Sequence, residues 1–220
     1  MTFKERRLFA PKLPAYHERI FIQGPSNQLA YNWLEKWPQE LEIFSTYLSG
    51  EKGSGKKHLS HIWGHKHNAS YVYAHELDPE RFVESDKYIV IHLEKQITPV
   101  CEKNLFHAFN FYKANKAHVL FTCEQTPNSL NLTLEDLKSR FATCNFINLD
   151  KPDEKTLHQL YTLSFKHKGI QVNKEVIDFL LMRLDRSFST LHNIVMTLEQ
   201  TSCSDNRSIS IPFVKSVLNL

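Results

Sequence analysis

At residues 50–57 the chain reads Gly-Glu-Lys-Gly-Ser-Gly-Lys-Lys, which matches the phosphate-loop pattern G-x-x-x-x-G-K. A β-rich run precedes these residues and a helical segment follows them, which is the setting in which such a loop binds phosphate. Glycines allow the backbone to curl until its N–H groups point at phosphate oxygens, and the N-terminus of the next helix adds a favourable dipole. A glycine-rich turn that merely joins strand to helix is the alternative interpretation.

The last two residues of this loop are both lysines, and they are expected to have different roles. Lys56 would reach the terminal phosphates as a point charge. Lys57 stands where a Ser or Thr hydroxyl normally helps to hold Mg²⁺, and a charged lysine cannot ligate a metal, although it can neutralise phosphate charge itself. We therefore expect ADP or ATP to bind, with the role of Mg²⁺ in question. The predicted nucleotide-binding residues are Gly50, Gly53, Ser54, Gly55, Lys56 and Lys57.

The acidic half of an ATP site is expected where a buried strand ends. Residues 88–91 read Tyr-Ile-Val-Ile, an apolar run that predicts a strand covered on both faces. Metal-holding and water-orienting carboxylates would follow at positions 92 and 93, but His92 and Leu93 stand there. Glu94 either replaces them from one residue farther on or is a surface residue of a loop. With both the Walker A and the Walker B motifs degenerate, the sequence predicts no efficient ATPase.

Strand and helix signals alternate over the first two thirds of the chain and then stop. Strands are predicted at 43–48, 70–73, 88–91, 118–122 and 144–147, and helices at 28–36, from 56, at 105–115 and at 134–141. This alternation predicts an α/β fold with a parallel sheet. Beyond Pro152 only helices are predicted, at 153–168, 174–184, 190–200 and 212–218. We predict an extended arm over 1–20, a P-loop nucleotide-binding α/β domain over 21–150, and a small all-helical domain over 151–220.

Composition excludes several other classes of protein. The net charge of +3 is too small to imply nucleic-acid binding by itself. No apolar run is long enough to cross a membrane and no signal peptide is recognised, so a cytoplasmic protein is expected. The cysteines are too widely spaced for a zinc site or a disulfide framework, which fits a reducing cytosol: Cys101, Cys123, Cys144 and Cys203. His61, His65 and His67 are interpreted as one face of a helix and not as metal ligands.

Several segments resemble the DnaA-related AAA+ family, over roughly residues 17–220. Residues 21–27 (FIQGPSN), with Ala30, resemble the opening box of the DnaA nucleotide-binding domain, and residues 105–110 (LFHAFN) resemble one of its helices. Residues 134–141 (LEDLKSRF) are similar to the segment that carries the arginine finger of that family. The ending at 209–215 (ISIPFVK) resembles the short Hda-like members, which are regulatory inactivators of DnaA. The absence of a DNA-binding helix-turn-helix domain before Leu220 favours those members.

The resemblance implies an AAA+ core with a helical lid, and a regulator of chromosomal replication initiation that promotes ATP hydrolysis on DnaA. Arg140 would be the arginine finger, acting in trans on the nucleotide of a neighbouring subunit. Thr122 matches the sensor position after the fourth strand. The sensor arginine of the lid is expected near Ser189 and is absent, with Arg186 one turn earlier as a weak substitute.

The implied partners are DnaA and the DNA-loaded sliding clamp, the beta subunit of DNA polymerase III. Family members bind the clamp through a Gln-Leu-x-Leu-type hexapeptide, whereas this chain offers only Leu8 and Phe9 after Glu5-Arg6-Arg7. Homo-oligomers are possible, and no sequence-specific DNA binding is expected. Two alternatives remain open: a nucleotide-independent adaptor whose vestigial loop leaves it to tether DnaA or the clamp, and an independent ATPase that loads another replication protein.

Overall fold

A computed structural model describes residues 21–94, 96–205 and 207–220. The predicted arm over 1–20, with Leu8 and Phe9, lies outside the described residues. The helices are α1 Gln28–Lys36, α2 Lys56–His67, α3 Pro99–Ala114, α4 Glu135–Ala142, α5 Glu154–His167, α6 Lys174–Arg183, α7 Phe188–Asp205 and α8 Ile211–Leu218. The strands are β1 Ser45–Gly50, β2 Ser70–Tyr73, β3 Tyr88–His92, β4 His118–Cys123 and β5 Asn145–Leu149.

The strands form one five-stranded sheet in the order β2-β3-β4-β1-β5, and every neighbouring pair is parallel. α-Helices lie in the crossovers from β1 to β2, from β3 to β4 and from β4 to β5, whereas two short 3-10 turns, Ala74–Glu76 and Pro79–Arg81, lie between β2 and β3. The register aligns His92 of β3 with Thr122 of β4, and Leu48 of β1 with that same Thr122. Since the carboxyl ends of parallel strands meet at one edge of the sheet, the residues that follow β1, β3 and β4 are brought together there.

Alternate residues of each central strand point into two different hydrophobic cores. In β3, Ile89 and Ile91 pack in the core formed with α3 and α4, whereas Val90 packs in the core formed with α1 and α2. A strand covered on both faces favours apolar side chains at successive positions, which explains the apolar run at residues 88–91. The predicted α/β fold with a parallel sheet is therefore confirmed.

Several element boundaries differ from those expected, and side-chain caps accompany two of the largest shifts. Helix α3 begins at Pro99, six residues before the predicted start, because the Thr98 hydroxyl caps it by accepting from the Cys101 N–H at 3.3 Å. Helix α7 begins at Phe188, before the predicted Thr190, and the Ser187 hydroxyl accepts from the Thr190 N–H at 3.1 Å. Strand β1 begins at Ser45 and ends at Gly50, two residues beyond its predicted end, with the polar Ser49 buried and hydrogen-bonded to Asn148 at 2.7 Å.

The chain divides into two compact units. Among the described residues, the first unit comprises Phe21, Asn27–Glu51 and Gly55–Leu149, and it contains the whole sheet. The second comprises Ile22–Ser26, Lys52–Ser54 and Asp150–Leu220. The second unit has its own core, built by helices α5 to α8 around fully buried side chains such as Phe165, Leu180 and Phe213. Within the described ranges, no helix is long and apolar enough to span a membrane.

The histidines of helix α2 do not share one face, so this part of the sequence interpretation was wrong. His65 is exposed, whereas His67 is buried against the rings of Trp63 and Tyr88. Two positions separated by two residues point about 200° apart on a helix, which places them on different sides. In the part of the chain that the structure describes, no group of three or more His, Cys, Asp or Glu is gathered as a metal site.

Candidate functional site

The loop between β1 and α2 has the backbone that phosphate binding requires. Gly53 and Gly55 have positive φ values of 81° and 98°, a region that residues with a Cβ rarely adopt. Gly55 is also the residue from which helix α2 starts. The first turn of α2 carries Lys56 and Lys57 and no acidic residue, so the positive end of the helix dipole meets no carboxylate of its own.

Lys56 is held inside the loop. Its side chain is buried, and its Nζ donates hydrogen bonds to the carbonyl oxygens of Gly50 at 2.6 Å and Glu51 at 2.8 Å. Burial lowers the pKa of Lys56, while the carboxylates of Glu124 and Glu51 act in the opposite direction. A phosphate group could take over the two hydrogen bonds that the loop carbonyls now accept. Lys56 therefore lies inside the loop, and its role as a phosphate ligand stays a prediction.

Lys57 points toward the end of strand β2. It is exposed, its Nζ lies 3.4 Å from the Tyr73 hydroxyl, and the ammonium is 5.7 Å from the centre of the Tyr73 ring. Such a cation over an aromatic face is weakly attracted to it. Tyr73 is paired in register with His92, the last residue of β3. Lys57 thus reaches over the strand ends where the acidic half of an ATP site would be.

His92 occupies the end of β3 as a buried, neutral imidazole. Its Nδ1 is 2.6 Å from Oγ1 of Thr122, and both residues are largely shielded from solvent. Burial, followed by the charges of Lys57 and His61, lowers the pKa of His92 to about 4. At neutral pH the group is therefore uncharged. The hydroxyl of Thr122, which the sequence placed at a sensor position, is engaged by this imidazole.

The two residues after His92 do not supply a metal ligand either. Leu93 is buried, and its N–H donates to the carbonyl oxygen of Thr122 at 2.8 Å. Glu94 forms a close contact with Nδ1 of His75, on the short 3-10 turn after β2. Mg²⁺ prefers oxygen ligands such as carboxylates and hydroxyls. With an ammonium at position 57 and an imidazole at position 92, these residues do not fit a magnesium ion.

Arg140 belongs to a separate part of the first unit. It lies in the last turn of α4, half-buried, with its guanidinium 5.9 Å from the ring centres of both Phe106 and Phe109 on α3. Planar guanidinium groups stack well on aromatic faces while their N–H donors stay available at the rim.

The start of α4 is held by a residue that the sequence reasoning missed. The carboxylate of Glu102, on α3, is buried and accepts the backbone N–H of Thr133 at 2.9 Å and of Leu134 at 2.6 Å. These N–H groups belong to the two residues just before α4, and the N-cap residue Leu134 makes no side-chain cap hydrogen bond. The signal available in the sequence was an acidic residue three positions before Leu105, on the apolar face of the helix.

In the second unit, the substitutes for a lid sensor are engaged in local contacts. Arg186 pairs with Glu154 through Nη2 and Oε2 at 3.0 Å, and both side chains are more than half exposed. The hydroxyl of Ser189 is 3.0 Å from that of Ser187, the residue that caps α7. Neither side chain is arranged like a dedicated phosphate ligand.

The sequence of this chain is similar to several known proteins. A family model described as "Hda, lid domain" matches residues 153–218. An uncharacterized protein of Haemophilus influenzae is 28% identical over 211 residues, which cover 90% of this chain and 91% of that protein. The chromosomal replication initiator protein DnaA of Borreliella burgdorferi is 27% identical over 224 residues, covering 90% of this chain and 46% of DnaA. The chain thus spans about half the length of this DnaA relative.

Solved structures resemble this chain more in fold than in sequence. Domain III of the Thermotoga maritima replication initiation protein DnaA aligns with a TM-score of 0.79 at 19% identity, covering 94% of this chain and 96% of the other. The parallel sheet and the helical second unit have the fold of the AAA+ class of P-loop proteins. The Hda lid model over residues 153–218 and the similarity to DnaA together support a DnaA-related AAA+ protein whose helical unit is similar to the Hda lid.

Proposed function

We propose that this protein limits replication initiation by promoting ATP hydrolysis on DnaA, with Arg140 acting in trans and with little ATPase activity of its own. The observation that carries the proposal is the separation of two half-sites within the first unit. Arg140 is presented on α4 over the rings of α3. The chain's own strand ends carry His92 and Leu93 where hydrolysis needs carboxylates.

An arginine supplied by a neighbouring subunit stabilises the negative charge that develops on the transferred phosphoryl group. Phe106 and Phe109 support the Arg140 guanidinium from one side, which limits its conformations without using its hydrogen-bond donors. Glu102 fixes the beginning of the same helix. The donor group is therefore preorganised, which is the property an arginine finger requires.

The remaining assignments follow from the same proposal. DnaA is the partner whose nucleotide Arg140 reaches, and the DNA-loaded sliding clamp is the platform on which the two meet. ADP or ATP occupies the phosphate loop, where it serves conformational switching and not turnover. The protein acts in the cytoplasm, and a homo-oligomer is compatible with the trans geometry.

A second function is favoured by the same strand ends. If the degenerate loop holds no nucleotide, the protein is an adaptor that tethers DnaA or the clamp without stimulating hydrolysis. Lys57, His92 and Ser189 each replace a residue that a nucleotide-responsive site uses. The two functions differ in what they require of Arg140.

The test is single-turnover hydrolysis of ATP bound to DnaA, in the presence of clamp-loaded DNA and this protein. Arg140→Ala is expected to abolish the stimulation, returning hydrolysis to the rate of DnaA alone, since arginine fingers contribute about 10³-fold or more. Arg140→Lys is expected to restore little, because a lysine lacks the planar fork of donors.

The matched control is Lys138→Ala on the same helix, where the exposed lysine pairs with Glu135 at 2.6 Å. This variant removes the same charge and should retain full stimulation. Binding to DnaA is measured for all variants by surface plasmon resonance. Full stimulation by Arg140→Ala would exclude the finger. Binding to DnaA by the unaltered chain without any stimulation of hydrolysis would favour the adaptor.

A further inference from the structure

The acidic half of this site has been replaced by basic groups, and the replacement is spatially consistent. Magnesium at a phosphate loop is held by a hydroxyl in the eighth loop position and by a carboxylate at the end of a nearby strand. Lys57 and His92 stand at those two places. The Lys57 ammonium lies by the Tyr73 hydroxyl, and its charge acts on His92. It therefore lies over the strand ends where a metal ion would otherwise sit.

The carboxylates of this region are engaged with other groups. Glu94 contacts His75, and Glu76 accepts the N–H of Tyr73 at 3.4 Å. Glu51 and Glu124 exert their attraction on Lys56. A magnesium ion would thus meet the positive charge of Lys57 before it met an available oxygen ligand, and the two cations would repel each other.

We propose that the phosphate loop binds a nucleoside diphosphate or triphosphate as the free anion, and that Lys57 supplies the positive charge that Mg²⁺ supplies in other P-loop proteins. The inference rests on the nucleotide binding proposed above but is independent of the role of Arg140. Lys56 neutralises the phosphates from within the loop and Lys57 from the strand ends.

The sign of the magnesium effect follows from charge. Mg²⁺ removes negative charge from the nucleotide, so the magnesium complex is attracted less strongly by two lysines than the free anion is. His92 adds no charge at neutral pH and keeps Thr122 occupied. Magnesium should therefore compete with this site, whereas it strengthens nucleotide binding at a site built around the metal.

The experiment is isothermal titration of the full chain with ADP, once in excess EDTA and once in excess MgCl₂. We expect binding in EDTA and a dissociation constant at least about threefold higher in MgCl₂. Lys57→Thr should weaken binding in EDTA by about tenfold and remove the penalty of magnesium. Lys57→Thr combined with His92→Asp should bind better with magnesium than without it.

The charge-matched control is Lys66→Thr, at the other end of α2, where Lys66 pairs with Glu35 at 3.5 Å. It removes the same charge from the same helix and should bind ADP like the unaltered chain. Binding that requires magnesium would overturn the inference. Absence of binding under both conditions would overturn it too, together with the nucleotide part of the proposed function, and would leave the Arg140 assay to decide the rest.

Discussion

His92 is a histidine whose surroundings keep it neutral. It is 8% exposed, hydrogen-bonded to Thr122, and lies within the field of Lys57 and His61. Burial and the charges of Lys57 and His61 all disfavour the protonated form. Among the described residues, no carboxylate offsets a positive charge on His92, so this residue affects the stability of the protein in acid.

We expect the protein to lose stability below neutral pH. The pKa of His92 is about 4 in the native state, against about 6.5 for an unperturbed imidazole, so between these values the unfolded chain binds a proton that the native state excludes. The free energy of unfolding is therefore not reduced by His92 above pH ~6.5. It falls as the pH drops toward ~4, by on the order of 3 kcal/mol in total. Burial also lowers the pKa values of His61 and His67, with the same sign.

The measurement is the free energy of urea unfolding as a function of pH. His92→Gln keeps a partner for Thr122 but cannot be protonated, so its stability should fall less steeply toward acid than that of the unaltered chain. His65→Gln is the control, because His65 is exposed on α2. Identical slopes for His92→Gln and the unaltered chain would show that another group governs the acid transition.

At the scale of single elements, helix α4 depends on a residue of another helix. Its first turn has no side-chain cap of its own, and the Glu102 carboxylate of α3 accepts the N–H groups of Thr133 and Leu134 instead. A negative charge at this end also interacts favourably with the helix dipole. The position of Arg140 is therefore coupled to a buried contact some distance along the chain.

Glu102→Ala should destabilise the protein by about 3 kcal/mol, because it leaves two partly buried N–H groups without their acceptor. Glu102→Gln, which retains one acceptor oxygen, should cost less. Urea unfolding followed by circular dichroism measures both. Glu135→Gln on the exposed surface of α4 is the control and should change little, since surface ion pairs contribute little to stability. An Ala variant as stable as the Glu135 control would refute this account.

Elements were predicted well where neighbouring residues along the chain determine the structure, and less well where distant residues do. The strand at 88–91 was predicted because a core on each face demands an apolar run. Strand β1 was predicted to end at residue 48 and not at Gly50 because Ser49 is polar yet buried, and it finds a partner across the sheet in Asn148 at 2.7 Å.

The same distinction applies to the candidate site. The loop glycines and lysines were predicted since a motif within eight residues carries its own geometry. The pairing of His92 with Thr122 depends on the register of two strands that are 30 residues apart. The contact of Glu102 with Leu134 depends on how two helices pack. Neither follows from spacing along the chain.

At the scale of the whole molecule, the helical unit has a hydrophobic core of its own. Leu180 is fully buried in that core, whereas Met182, two residues later, is 77% exposed. Removing buried methyl groups from a packed core leaves a cavity that costs contacts and transfer energy. Leu180 and Met182, on the same helix α6, therefore provide a buried and an exposed position for testing this unit.

Leu180→Ala should lower the free energy of unfolding by about 2–5 kcal/mol, and Met182→Ala should have almost no effect. Circular dichroism reports helix loss in both units, whereas Trp33, Trp37 and Trp63 all lie in the first unit, so their fluorescence reports on that unit alone. A shift in the dichroism transition with the Leu180 variant is the expected result. Equal midpoints for the two variants would contradict the assigned core.

The strand order described above has a consequence for how the chain acquires its structure during synthesis. The strand that leads into the phosphate loop is paired on both sides by strands made much later, with Ser45 opposite Val119 and Thr46 opposite Asn145. While the first hundred residues leave the ribosome, β1 has neither neighbour, and its backbone groups stay bonded to water. Long-range pairing of this kind slows folding. The loop lysines thus emerge long before the sheet that positions them exists, so a nascent chain has no formed phosphate site until translation has passed β5.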